Sequence, residues 1–293
     1  MCSLVLAACA GPGGTVVDLR PDAARTGEDG ADGPHGVAHA TFSVQARVTD
    51  VVDYEVAWPA NASGGFDDAA GRCEVVAFIH GGLVAADRYR WLVTHFASRG
   101  YCVLSAEHDL DLAIFESANT SLALDDALAR SEAGRGPLAG ALGARAAVMG
   151  HSLGGTVAAF RWVADARFEG VAILASWAAQ ATPVEDQAGR PSLSLIGSQD
   201  RGGEATQEAF ERYARFAQPR WFGVVDGMNH YDWADDPSDA NLLSDGVPTR
   251  PRADSRRSAS RVLDAWLDAW LRDDVVARAA LEAHNFEHVL QAP

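Results

Sequence analysis

The 293-residue chain carries 40 acidic residues against 24 basic ones, a net charge of −16, and every basic residue is arginine. So large an excess of acid argues against a nucleic-acid binder, which needs a basic face against phosphates, and disfavours docking on anionic lipid through surface charge. Hydrophobic residues make up 48% and charged ones 22%, which allows one sizeable core and excludes global disorder.

No apolar run approaches the roughly 18 residues needed to cross a bilayer. The four cysteines, Cys2, Cys9, Cys73 and Cys102, form no CxxC pattern, so neither a zinc ribbon nor a thioredoxin-like motif is expected. Residues 1–8 begin apolar and end in small residues. Leu6-Ala7-Ala8-Cys9 resembles a bacterial lipobox, in which cleavage precedes a lipid-bearing cysteine. A basic leading segment is missing and the apolar stretch is short. The resemblance implies a truncated export signal, a lipid anchor at Cys9, and a place in the cell envelope or outside the cell. The alternative is a frayed apolar terminus with an incidental cysteine. Residues 9–40, rich in Gly, Asp and Pro, read as a flexible tether.

From there the pattern predicts elements in quick succession. Residues 43–49 and 51–58 alternate as half-buried strands. Residues 59–72 are a turn-rich loop, and 74–79 an apolar strand running into His80-Gly81-Gly82. A helix follows over 87–99 and a strand over 101–106. Further helices are expected over 120–131, 153–165, 204–217 and 259–272. Further strands are expected over 145–149, 171–176, 192–197 and 221–225. Strands alternating with helices imply parallel βαβ units. Residues 41–275 therefore form one α/β domain, and 276–293 a helical tail.

Gly150-His151-Ser152-Leu153-Gly154-Gly155 follows a strand and opens a helix, the setting of a G-x-S-x-G nucleophile elbow. A serine there needs a base, and the base an orienting carboxylate. In chain order Ser, Asp, His, the base is His230, in the turn after strand 221–225. His284 and His288 lie in the tail and read as solvated. The carboxylate is Asp200, after strand 192–197, with Asp226 and Asp232 as rivals beside His230. Backbone amides of Leu153 and Gly82 are the expected oxyanion donors, with Leu83 next. No metal or organic cofactor is called for.

With these residues in place the chain resembles the α/β-hydrolase superfamily, and within it the branch of chlorophyllases, platelet-activating-factor acetylhydrolase-like esterases and cutinase-like polyester hydrolases. The resemblance runs over about 43–272 and rests on His80-Gly81-Gly82, Arg99-Gly100-Tyr101-Cys102-Val103, Val148 to Gly155, Leu195-Ile196-Gly197 before Asp200, and Gly227-Met228-Asn229-His230. It implies a mostly parallel eight-stranded twisted sheet with helices on both faces. It also implies a serine esterase acting on a small or polymeric ester. The fifteen residues Trp177 to Pro191 between two predicted strands are too few for a multi-helix lid, so an open site taking short to medium acyl chains is expected, and a monomer. Thioester or peptide hydrolysis by the same residues is a related alternative, and a non-catalytic binding lipoprotein a more distant one. Trp177 is an expected substrate contact or a packed aromatic. Leu83 and His151 are the other expected substrate contacts. Glycines after the oxyanion strand stand where polyester hydrolases place an aromatic. In the superfamily the strands bearing Cys73 and Cys102 are parallel neighbours, so a disulfide between them is open, against two buried thiols.

Overall fold

The computed structural model describes residues 33–46, 50–108, 117–237 and 245–292. Its strands are β1 (Gly36–Gln45), β2 (Val51–Ala60), β3 (Cys73–Ile79), β4 (Cys102–Ala106), β5 (Leu142–His151), β6 (Phe168–Leu174), β7 (Ser192–Gly197), β8 (Arg220–Val225) and β9 (Val289–Ala292). They form one sheet in the order β1-β2-β4-β3-β5-β6-β7-β8-β9. β3 to β8 run parallel, whereas β1, β2 and β9 pair antiparallel at the edges.

The parallel strands read as unbroken apolar runs because both faces of the sheet are covered. Along β3, Val76 and Phe78 enter one core, and Val75, Ala77 and Ile79 the other. The first core packs under α1 (Arg90–Ser98) and α5 (Arg252–Leu271), through Trp91, Leu92, Phe96, Leu263 and Trp266. The second packs under α2 (Asn119–Glu132) and α3 (Leu153–Ala164), through Leu124, Val157 and Trp162. Between β7 and β8, α4 (Glu204–Tyr213) sets Ala205, Ala209 and Tyr213 against Ile196 and Phe222. A short helix, α6 (Val275–Glu282), packs on α5.

The chain steps from β3 outward to β4, then returns across β3 to β5. Sheet growth reverses there, so the loops leaving the C-terminal ends of β3 and β5 diverge and open a crevice. The candidate site lies in it.

Three expectations are corrected. The folded part begins at Gly36, not at residue 41: Gly36 pairs with Ala60, and Ala38 and Ala40 are buried. Gly-Val-Ala-His-Ala is too small and too close to the Gly/Asp-rich stretch for its alternation to stand out. The sheet has nine strands rather than eight. The tail is not wholly helical, because Val289–Ala292 pairs with the free edge of β8. His284 and His288 lie past α6 with positive φ, not on a helix face. The signal over 1–8, the anchor Cys9 and the tether up to residue 32 lie outside the described residues.

A disulfide joins Cys73 to Cys102 with 5.5 Å between Cα atoms. Cys102 lies opposite Val75, so the two half-cystines are offset along the ladder rather than face to face.

Candidate active site

The turn from β5 into α3 is tight enough that Gly150 and Gly154 have no room for a side chain. A Cβ on Gly150 would lie 2.2 Å from the Gly154 carbonyl oxygen, and one on Gly154 2.2 Å from that of Ile79. Ser152 takes φ 53° and ψ −125°. Its N–H donates to the Leu174 carbonyl at 2.9 Å, which ties the elbow to β6.

β8 ends in Asp226-Gly227-Met228-Asn229, and His230 follows. Asn229 and Asp232 cap each other here. The Asp232 N–H donates to Asn229 Oδ1, and the Asn229 N–H to Asp232 Oδ2, each at 3.0 Å. The cap holds His230 over the elbow, where Ser152 Oγ–H donates to His230 Nε2 at 2.9 Å. On the other side His230 Nδ1–H donates to Asp200 Oδ2 at 3.1 Å. Asp200 follows β7 and is 1% exposed. The two rivals are elsewhere. Asp226 is exposed, and Asp232 is committed to its cap and to Arg252 at 3.4 Å. Burial pushes the Asp232 carboxyl above its usual range, against the pull of the Asn229 amide and of Arg252.

Sequence reasoning missed the group that ties the two loops together. Asp245 Oδ1 accepts from the N–H of Arg201 and of Gly246, both at 2.7 Å. Its Oδ2 accepts from the N–H of His230 at 2.6 Å and of Tyr231 at 3.3 Å. One carboxylate thus pins the residue after Asp200 and the backbone of His230. No local pattern marks it, because Asp245-Gly246 reads as an ordinary turn. Asp245→Ala is expected to lower kcat by about 100-fold through misplacement of His230. Asp245→Asn should recover part of that, since its oxygen still accepts. Initial rates on one ester, with thermal melts of both variants, check this.

His151, expected as a substrate contact, lies outside the cleft lining. It is 1% exposed and links the loop after β3 to the loop after β8. The Gly81 N–H donates to Tyr89 Oη at 2.9 Å, the Tyr89 hydroxyl to His151 Nδ1 at 2.8 Å, and His151 Nε2–H to the His230 carbonyl at 3.0 Å. These partners assign His151 as the neutral Nε2–H tautomer. Burial, then the neighbouring His230, hold its pKa well below the ordinary 6.5. Burial, with His80 beside it, also lowers His108 to about 4. The unfolded chain takes up protons on both near pH 6.5, and the folded chain refuses them. Their contribution to stability is therefore complete above pH 6.5 and falls as pH drops toward 4. Glu74 and Asp232, raised by burial, act in the opposite sense at the acid end. Melting temperature is expected to fall from pH 7 to 4.5, with a shallower slope in His108→Gln.

The cleft beside Ser152 has a volume of about 320 Å³ and is lined in part by Leu153, Thr156, Trp177, Arg201 and His230. Trp177 both faces it and packs against the cluster under α4. The Leu153 N–H is one of the orphan donors at the start of α3. The Gly82 loop abuts the serine: a Cβ on Gly81 would stand 3.4 Å from Ser152 Cβ. The Gly81 amide is spent on Tyr89, and among the described residues the Gly82 amide has no acceptor. Leu83, expected as a substrate contact, is 76% exposed and outside the cleft lining. Its backbone takes φ 59°.

A family model described as the alpha/beta hydrolase family matches residues 75–236, from β3 to the loop that carries His230. No curated protein matches the chain.

Proposed function

Because the chain belongs to the α/β-hydrolase family, we propose that its cleft hydrolyses carboxylic esters through an acyl-serine intermediate. The contact of Ser152 Oγ with His230 Nε2, continued from Nδ1 to Asp200, carries this reading. Ser152 attacks the ester carbonyl while His230 takes its proton and then delivers it to the leaving alcohol. Asp200 fixes the Nδ1–H tautomer and offsets the imidazolium charge. The amides of Leu153 and Gly82 receive the oxyanion, with the N-terminal dipole of α3 behind Leu153. Water, deprotonated by His230, then releases the acid.

A cleft of about 320 Å³ supports short to medium acyl chains. Only residues 175–191 separate β6 from β7, too few for a multi-helix lid, which supports an open site. Within the family, the chain is proposed to belong with the chlorophyllases, acetylhydrolase-like esterases and cutinase-like hydrolases, whose motif pattern it resembles. Gly81 and Gly82 argue for small esters over polymers. The protein is further proposed to be an exported monomer held at the envelope through a lipid on Cys9. The lipobox-like start and the Cys73–Cys102 bridge, which suits an oxidising compartment, support this.

A fluorophosphonate probe tests the reading. It should label the wild-type chain at Ser152, and an ester panel graded by acyl length should show turnover that the probe abolishes. A chain that stays unlabelled and turns over no ester would be a binding protein on a hydrolase frame.

A further inference from the structure

One cation on the cleft wall is unaccounted for by the fold. Among the described arginines, only Arg135 and Arg201 make no side-chain hydrogen bond, ion pair or aromatic contact. Both are exposed, but Arg135 stands in a surface turn outside the cleft lining. Arg201 lines the cleft with Ser152 and Trp177. In a chain with 40 acidic residues, arginines find carboxylates readily, so an unpaired one beside the nucleophile is not explained by surface charge.

Its placement is fixed by the backbone. Arg201 holds φ 49° and ψ 40°, a left-handed conformation that costs a non-glycine residue about 1 kcal/mol or more. The clamp from Asp245 Oδ1 to its N–H, and the flexible Gly202 and Gly203 that follow, sustain that turn. The acids of the two loops are directed at other donors: Asp200 Oδ2 at His230, and Asp245 at four backbone amides. The cleft's hydroxyls are also committed. Thr156 donates to the Trp177 carbonyl at 2.9 Å, and Ser176 donates to Thr156 at 3.2 Å. The guanidinium is thus a free cationic donor on a wall that is otherwise uncharged beyond the Ser-His-Asp set.

We propose that Arg201 makes this cleft selective for short esters bearing a carboxylate, on the acyl or on the alcohol side, which the guanidinium receives while Ser152 attacks the ester carbonyl. The inference rests on the esterase reading above and names its substrate class. A guanidinium matches a carboxylate in geometry and charge. No covalent step is added to those already described.

Two matched pairs test it: phenyl acetate with 4-acetoxybenzoate, and 4-nitrophenyl hexanoate with the mono-4-nitrophenyl ester of adipic acid. In at least one pair the charged member should show a kcat/KM about tenfold above the neutral one, a ratio that falls as salt is added. Arg201→Gln should lower that ratio about tenfold, and Arg201→Lys should keep part of it. Melting temperature and probe labelling of Ser152 verify that each variant is folded. The protein's net charge of −16 repels anions, so a preference for them is a demanding result. A ratio at or below one in both pairs, or a ratio that Arg201→Gln leaves in place, overturns the proposal. If the neutral esters are still turned over in a Ser152-dependent way, only this inference fails. If no ester is turned over, the esterase reading fails and takes this one with it.

Discussion

Ser152→Ala is expected to lower kcat on a short-chain ester by about 10⁴- to 10⁶-fold while leaving the melting temperature in place. The size follows from how such a set works. Removing the nucleophile leaves oxyanion donors and a binding cleft, which together retain a small fraction of the acceleration. The fold should be indifferent. Alanine keeps the Cβ that already fits at φ 53°, and what is lost is one hydrogen bond to His230 at a half-buried position. Initial rates with purified variant, corrected by probe titration for residual wild type, give the number. Turnover above about a hundredth of wild type would mean that another group attacks the ester, and the assignment of Ser152 would fall.

Asp200→Asn should cost about 10⁴-fold in kcat with little loss of stability. The native carboxylate accepts from His230 Nδ1–H at 3.1 Å, which leaves Nε2 free to take the serine proton. An asparagine amide can instead donate to Nδ1, and this favours the Nε2–H tautomer, which cannot act as a base toward Ser152. The comparison with Asp226→Asn and Asp232→Asn isolates the effect. Asp226 is exposed, so its change should be near neutral in rate. Asp232 works through its reciprocal cap with Asn229, so its change should appear in stability before it appears in kcat. Near-normal turnover in Asp200→Asn with a dead Asp226→Asn would reverse the assignment of the acid.

The elements legible in the sequence were those whose burial is uniform. β3 and β5 to β8, covered on both faces, read as apolar runs. The elbow was legible because its glycines answer to steric contacts within a few residues, Gly150 against Gly154 among them. Ser152, Asp200 and His230 each stand just past a strand end, a position that chain order alone can find. What could not be read depends on long-range closure. β9 is a strand only because β8 has a free edge to offer. His151 looks like a residue beside the nucleophile, and only the approach of Tyr89 and the His230 carbonyl makes it an internal strut. Asp245 and Arg201 have no motif at all, since their roles exist only once the loops after β7 and β8 lie side by side.

The backbone of Ser152 also bears on how the chain can evolve. At φ 53° and ψ −125° a residue with a Cβ pays about 1–3 kcal/mol against glycine, a sizeable share of the net stability of a typical domain. Drift toward greater robustness alone would put glycine there, since nothing else in the turn requires a hydroxyl. A protein kept solely as a binder would have no gain to set against that penalty. The elbow is therefore a place where thermostabilising substitution and function pull in opposite directions, and attempts to harden this scaffold are better aimed at the edges of the sheet than at its centre.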